Sequence, residues 1–182
     1  IYDALNDYDL KNDVYAEGGS LLASLRWVKS HNYITTNENI NVGTGATLKN
    51  EGGTYDDGGI TMAAHDNLEL DLNATGHSDG GAGGYVRAET LIDLSRTPTI
   101  NINGTLKSAK DLNLYAGADA NGDAARVHSF AQAISQLKTL ISDGSADVIR
   151  KGSTNAAVNV NNGAYGQAVH DVNVISNAGW EA

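Results

Sequence analysis

The stretch Thr99–Gly117, TININGTLKSAKDLNLYAG, contains two short segments in which aliphatic residues alternate with asparagine. These segments are Ile100-Asn101-Ile102 and Leu112-Asn113-Leu114. In an extended strand, successive side chains point to opposite faces, so the aliphatic pair of each segment faces one side and the asparagine faces the other. The residues between them include Asn103, Gly104, Ser108 and Asp111, which are residue types common in turns. The stretch therefore predicts two short strands with a hydrophobic inner face and an amide on the outer face.

The same alternation recurs along the chain at a spacing near 60 residues. One group of segments begins at residues 40, 100 and 158, and a second group begins at residues 110 and 170. We assign two weaker matches, HDNLELDLNATG from residue 65 and NDVYAEGG from residue 12, to the second group. Self-similarity at a fixed period is the mark of a repeat architecture.

The repeat favours a coiled all-β chain over a series of hairpins. Leu112 follows Ile100 by 12 residues, which is long for a hairpin, and the Asn-Gly pairs come just after strands. In a parallel β-helix, or β-solenoid, each strand bonds to the coil about 4.8 Å away, aliphatic side chains stack inside and asparagines form outer ladders. We predict that residues 1–182 are a single β-solenoid segment, with an antiparallel sandwich as the alternative. A common solenoid period of roughly 20 residues would place about three coils in each unit.

One segment departs from this alternation. Across Asp123–Gly144 the apolar residues recur at steps of three and four, which is the pattern of an amphipathic helix. Asp123 suits the N-cap and Gly144 the C-terminal cap, so we expect a helical insert at about 123–144 outside the solenoid. Residues 18–31 and 85–94 have mixed periodicity and fit either a strand or a helix. The apolar positions of the expected helix are Val127, Phe130, Ile134, Leu137 and Ile141.

Composition limits the class of protein. The chain has 182 residues, a formal net charge of −10, 21 glycines and no cysteine. A strong negative charge argues against binding to nucleic acid or to an anionic membrane surface. No run approaches 18 consecutive apolar residues, so we expect no membrane-spanning helix. The first residues also lack a basic segment followed by an apolar run, so we expect no signal peptide in this piece.

Two longer segments resemble the repeats of filamentous-haemagglutinin-like bacterial exoproteins, particularly the leukotoxin-type filamentous adhesins. The segments are TININGTLKSAKDLNLYAGADANGDAAR and NAAVNVNNGAYGQAVHDVNVISNAG. The resemblance implies a right-handed parallel β-helix, secretion to the bacterial cell surface and a virulence role in attachment to a host or neighbouring cell, matrix or glycan. It also implies an interior fragment of a longer filament, with self-association through the solenoid ends. It covers residues 12–18, 37–76, 97–123 and 154–179.

We therefore expect a structural and adhesive repeat segment of a secreted surface filament. We expect no enzyme activity, cofactor, catalytic residue or resident metal, and the binding residues stay undefined. The alternative is a β-helical polysaccharide-degrading enzyme, because Asp56 and Asp57 in TYDDGG resemble the paired carboxylates of such enzymes. No basic substrate-binding cluster accompanies them, so a solvated turn is the simpler interpretation.

Two further patterns concern metal ligands. Asp119, Asn121 and Asp123 place oxygen ligands at alternate positions, as calcium loops do, but the later bidentate Glu is missing. A turn is the simpler interpretation, and calcium binding stays open. The five histidines are scattered, and we assign His65 and His170 to one repeat position that we expect to be solvated.

Aromatic side chains provide the candidate sugar-stacking surface, although plain packing is the simpler interpretation of a tyrosine beside a strand. The candidates are Trp27, Trp180, Tyr15, Tyr33, Tyr85 and Tyr165.

Overall fold

The computed structural model describes residues 1–52 and 58–178, and within them the chain forms fourteen strands and no helix. The expected all-β class is confirmed, and every pairing between these strands is parallel. No helix in these ranges has the length and apolarity needed to cross a membrane. The strands are β1 Tyr2–Gly19, β2 Ala23–Thr36, β3 Asn39–Val42, β4 Thr47–Asn50, β5 Ile60–Asp79, β6 Gly83–Arg96, β7 Thr99–Ile102, β8 Thr105–Ser108, β9 Leu112–Ala116, β10 Val127–Lys138, β11 Ile141–Thr154, β12 Ala157–Val160, β13 Tyr165–Ala168 and β14 Val172–Ser176.

The chain passes through four sheets in the same order each time. The first sheet contains β1, β5, β9, β10 and β14, and the second contains β2, β6 and β11. The third contains β3, β7 and β12, and the fourth contains β4, β8 and β13. We call each passage a tier: tier 1 is β1–β4, tier 2 is β5–β8 and tier 3 is β9–β13.

Each tier takes about 60 residues. Tyr2 pairs with Met62, and Ile60 pairs with Leu112, so stacked residues lie 60 and 52 positions apart at these two points. The expectation of three coils of roughly 20 residues in each unit is therefore wrong. The sequence period corresponds to one tier because β1, β2, β5 and β6 are long strands of 14 to 20 residues.

The alternating segments behave as predicted. Ile100 and Ile102 are buried, whereas Asn101 points outward into a ladder of amides. Asn101 Nδ2 donates to Asn41 Oδ1 at 2.8 Å, and Asn159 Nδ2 donates to Asn101 Oδ1 at 2.9 Å. Such ladders satisfy the amides while the aliphatic side chains fill the interior.

The predicted helical insert at about 123–144 is wrong. Residues 127–138 form β10, which pairs in register with residues 68–79 of β5, and β11 begins at Ile141. Val127 is buried, but Phe130 points outward and is half-exposed, so the apolar residues do not share one face. The backbone bonds offered by β5 outweigh the local helical pattern, and small residues (Ser129, Ala131) fill the inner positions of β10.

The chain leaves the stack between β9 and β10. Ala116 pairs with Ala64 and Val127 pairs with Leu68, so ten residues of tier 3 stand where tier 2 has three. Residues 117–126 form a small hairpin, closed by the antiparallel bridge between Ala118 and Ala124. This hairpin is the true insertion in the repeat.

The weaker repeat matches are also corrected by the register. Leu112 pairs with Ile60, whereas Leu68 pairs with Val127, so the segment from residue 65 does not belong to the second group. The segment from residue 12 likewise stacks on residues 72–79.

A buried ion pair divides the hydrophobic interior. Along β5, Ala64 belongs to a core cluster with β7, β8 and β9, whereas Leu68 belongs to a cluster shared with β6. Between them lies Asp66, whose side chain is fully buried and paired with the buried guanidinium of Arg96. Arg96 Nε donates to both carboxylate oxygens at 2.8 Å, and Thr36 Oγ1 donates to Oδ2 at 2.7 Å. The pair belongs to tier 2, and the bond from Thr36 connects it to tier 1 where the two compartments meet.

Replacing Arg96 by Met should be strongly destabilising, because it leaves the Asp66 carboxylate buried beside an apolar side chain. We expect the free energy of unfolding to fall by about 3–5 kcal/mol, measured by chemical denaturation. The exposed pair Lys11–Asp71, 3.7 Å apart, supplies the control, and Lys11→Met should cost less than about 1 kcal/mol. Equal costs for the two substitutions would contradict the structural role assigned to Asp66 and Arg96.

Candidate functional site

The outward surface of the second sheet gathers aromatic and charged side chains. Outward positions of β2, β6 and β11 stack in columns, because the three strands pair in register. We call this surface the tryptophan face, and its central columns are Trp27/Arg87/Ser145, Lys29/Glu89/Asp147, His31/Leu91/Ile149 and Tyr33/Asp93/Lys151.

Glu89 lies at the centre of this face and is nearly buried. His31 Nε2 donates to Glu89 Oε1 at 2.5 Å, and Arg87 Nη2 donates to Oε2 at 3.1 Å. Lys29 Nζ lies 3.8 Å from Oε1. Arg87 also reaches Asp147 of tier 3 at 3.4 Å, so the cluster connects all three tiers.

Trp27 is the main exposed aromatic ring of the cluster. Lys29 Nζ lies 4.2 Å and Arg87 Cζ 5.3 Å from the ring centroid, which are cation–π distances. The side chain is still 60% exposed. The cations therefore fix the orientation of the ring and leave much of its surface available to a ligand.

A shallow groove lies next to the tryptophan face, at the N-terminal ends of strands β2, β6 and β11. Its volume is about 400 Å³, and its lining includes Leu25, Tyr85, Ile141 and Asp143. Leu25 is two residues before Trp27, so both side chains lie on the same side of β2. An aromatic ring beside an apolar groove with a few polar groups is the usual composition of a ligand-binding surface.

The charged and polar neighbours of Glu89 oppose the effect of its burial on the carboxyl pKa. Burial raises the pKa of the Glu89 carboxyl. The hydrogen bond from His31 and the charges of Lys29 and Arg87 outweigh burial, so the pKa lies below its ordinary value.

The candidate calcium ligands Asp119, Asn121 and Asp123 lie in the 117–126 hairpin. There the Asp119 carboxylate accepts hydrogen bonds from the backbone of the turn itself. Asp119 Oδ1 accepts from the backbone N–H of Asn121 at 2.8 Å and of Asp123 at 2.9 Å. Burial raises the pKa of the Asp119 carboxyl, but these N–H groups lower it by more, so the net pKa is below the ordinary value. The carboxylate thus stabilises the hairpin.

The histidines do not share one environment. His170 is exposed, as expected, but His65 is buried, so the prediction of a solvated His65 is wrong. Its side chain faces outward from β5, and Nε2 lies 3.2 Å from Asp3 Oδ1. The 117–126 hairpin packs against the same outer surface of β5, where Ala118 joins a cluster with Ala63. His77 is also buried, at the opposite end of β5.

Sequence patterns found only part of the tryptophan face. Trp27, Tyr33 and Tyr85 were candidates, and the structure places them on one sheet, whereas Tyr15 and Tyr165 lie on other sheets. Trp180 and the carboxylates Asp56 and Asp57 lie outside the described residues. The charged cluster was missed because its residues are far apart in sequence. The repeat spacing gave a usable signal, since Lys29, Glu89 and Asp147 lie 60 and 58 positions apart.

Comparison of the chain with known protein families, with curated proteins and with solved structures gives no match.

The lowered pKa of Glu89 predicts a pH-dependent contribution to stability. Ionised Glu89 stabilises the folded chain above the unfolded pKa of about 4.3, and this contribution is lost as the pH falls through the lower folded value. Glu89→Gln should therefore be less stable than the native chain at pH 7, and the difference should shrink below about pH 4. Denaturant titrations across pH measure this, with the exposed Glu69→Gln as control. A difference that is constant with pH would contradict the role of the charge.

Proposed function

We propose that this chain is a structural and adhesive segment of a secreted bacterial surface filament, built as a right-handed parallel β-helix. The observation that carries the proposal is the recurrence of the four sheets, in which each tier stacks on the one about 60 residues earlier. The resemblance to filamentous-haemagglutinin-like repeats supports the biological class that we propose, and it implies a location outside the cell.

Stacked tiers suit a filament for a physical reason. Each tier contacts only its neighbours, so a chain can be lengthened by adding tiers without a new kind of interface. Residues at core-facing positions of the last strands, such as Val172 and Val174, are about half exposed here. A further tier stacked on these strands would bury Val172 and Val174. Leu112 and Leu114 cover Ile60 and Met62 of the preceding tier in the same way.

The tryptophan face is the attachment surface in this proposal, and a neutral glycan is its ligand. The exposed ring of Trp27 offers a stacking surface for a sugar ring, and the neighbouring groove extends the contact area. Lys29 and Arg87 are already paired with Glu89 and Asp147, so these four charges sum to zero. A strongly anionic ligand would have to compete with those carboxylates.

Binding of immobilised neutral oligosaccharides, or of cells bearing them, tests the attachment surface. Trp27→Ala should weaken binding at least about 10-fold, as expected for an exposed aromatic anchor at the centre of an interface. Tyr165→Ala, which truncates a half-exposed tyrosine of the fourth sheet, should leave binding unchanged. Equal losses in both variants, or none in Trp27→Ala, would contradict the proposed surface.

Engineered disulfides test the stacking of tiers, because the native chain has no cysteine. Asn101→Cys with Asn159→Cys should form a disulfide, since paired parallel strands are about 4.8 Å apart and a disulfide spans Cα distances of about 4.4–6.8 Å. Asn41→Cys with Asn159→Cys spans two tiers, about 9.6 Å, and should stay reduced. Mass spectrometry after mild oxidation distinguishes the two. A disulfide in the second pair would contradict the β-helix, and an experimental structure showing a left-handed coil would contradict its hand.

A further inference from the structure

Three potential metal ligands meet at the far end of the first sheet. Glu17 is near the end of β1 and pairs in register with His77 of β5. Asp79 follows His77 by two residues, so its side chain lies on the same outer face. The ligand atoms of Glu17, His77 and Asp79 all lie within 4.8 Å of one another.

Short polar contacts orient the side chains of this group. His77 Nε2 lies 2.8 Å from Asp79 Oδ2, and Tyr15 Oη donates to Glu17 Oε2 at 3.1 Å. Outer hydrogen bonds such as that from Tyr15 orient ligand carboxylates at metal sites.

Buried polar atoms in this group lack hydrogen-bond partners. His77 is only 8% exposed, and within the described part of the chain neither its Nδ1 nor Asp79 Oδ1 makes a hydrogen bond. The nearest cation to Asp79 Oδ1 is Lys138, whose Nζ lies 3.7 Å away on an exposed side chain. Buried polar atoms without partners are uncommon in folded proteins. Asp79 Oδ1 belongs to the carboxylate that faces His77 Nε2, so an ion bound to this carboxylate would supply the missing partner.

We propose that Glu17, His77 and Asp79 form a binding site for a divalent transition-metal ion, for which Zn²⁺ is the best match. One imidazole nitrogen with two carboxylate oxygens suits Zn²⁺, whereas Ca²⁺ and Mg²⁺ prefer ligand sets made of oxygen alone. The ion takes the place of the proton that joins His77 to Asp79. Three protein ligands leave one position for water.

The site joins two tiers. Its ligands come from β1 and β5, so the ion links strands whose residues are 60 positions apart in sequence. An ion that binds the folded chain but not the unfolded chain raises the free energy of unfolding by mass action. The site lies on the first sheet and does not depend on the glycan-binding role proposed for the second.

The test is a calorimetric titration of the full chain, without a histidine tag, with ZnCl₂ at pH 7.5. The native chain should bind one Zn²⁺ ion, and its melting temperature should rise with Zn²⁺ concentration. Glu17→Gln changes an exposed side chain and should weaken binding at least about 10- to 100-fold, the loss seen even when an outer-shell partner is removed. His77→Gln should do the same. Glu69→Gln removes an exposed carboxylate elsewhere on β5 and should leave the affinity unchanged.

Three results would overturn the proposal. The first is Zn²⁺ binding by the native chain no tighter than by Glu17→Gln, and the second is an equal loss in Glu69→Gln. The third is a melting temperature of the native chain that does not rise with Zn²⁺ concentration, because an ion that binds only the folded chain must stabilise it.

Discussion

The tier-to-tier register places each residue above the one about 60 positions earlier, and this constraint governs the choice of side chain at every outward position. Amides suit such stacking because each both donates and accepts, as the ladder through Asn101 does. Like charges repel when stacked, and several charged columns avoid this repulsion. Lys11 lies beside Asp71, and Asn73 donates to Asp13, although Asp9 stacks beside Glu69. The tryptophan face contains a further exception, because Asp147 stacks beside Glu89, and Arg87 forms ion pairs with both carboxylates.

The interior obeys the constraint less strictly. Between the first and second sheets, Leu72 and Ile92 of tier 2 belong to one hydrophobic cluster. The residues that pair with them in tier 1 are Asn12 and Asn32, whose side-chain amides form a hydrogen bond of 2.9 Å. The ion pair of Asp66 and Arg96 separates the compartments. Because buried polar groups are costly unless paired, such pairs restrict which strands can face each other across a tier. They thereby support a single register along long strands that would otherwise be free to slip.

Much of the short-strand half of the fold was predictable from sequence. The alternating segments around Asn101 and Asn113 fixed which side chains face inward and which form ladders. Strand β10 was not predictable in the same way, because several of its inner positions carry small residues. In β10 the inner Ser129 and Ala131 carry little hydrophobic signal, so the apolar residues on both faces mimicked a helix. The charged cluster at Glu89 and the group at His77 depend on pairing between tiers, which no local pattern reveals.

The 117–126 hairpin shows where this protein tolerates a change in chain length. It adds residues between Ala116 and Val127, yet both flanking strands keep their pairing with β5. An added residue inside a strand would instead turn every later side chain of that strand from core to surface. Insertions and deletions are thus confined to the points where the chain can leave the stack and rejoin it. New loops can be accommodated at such points, with the architecture of the tiers unchanged.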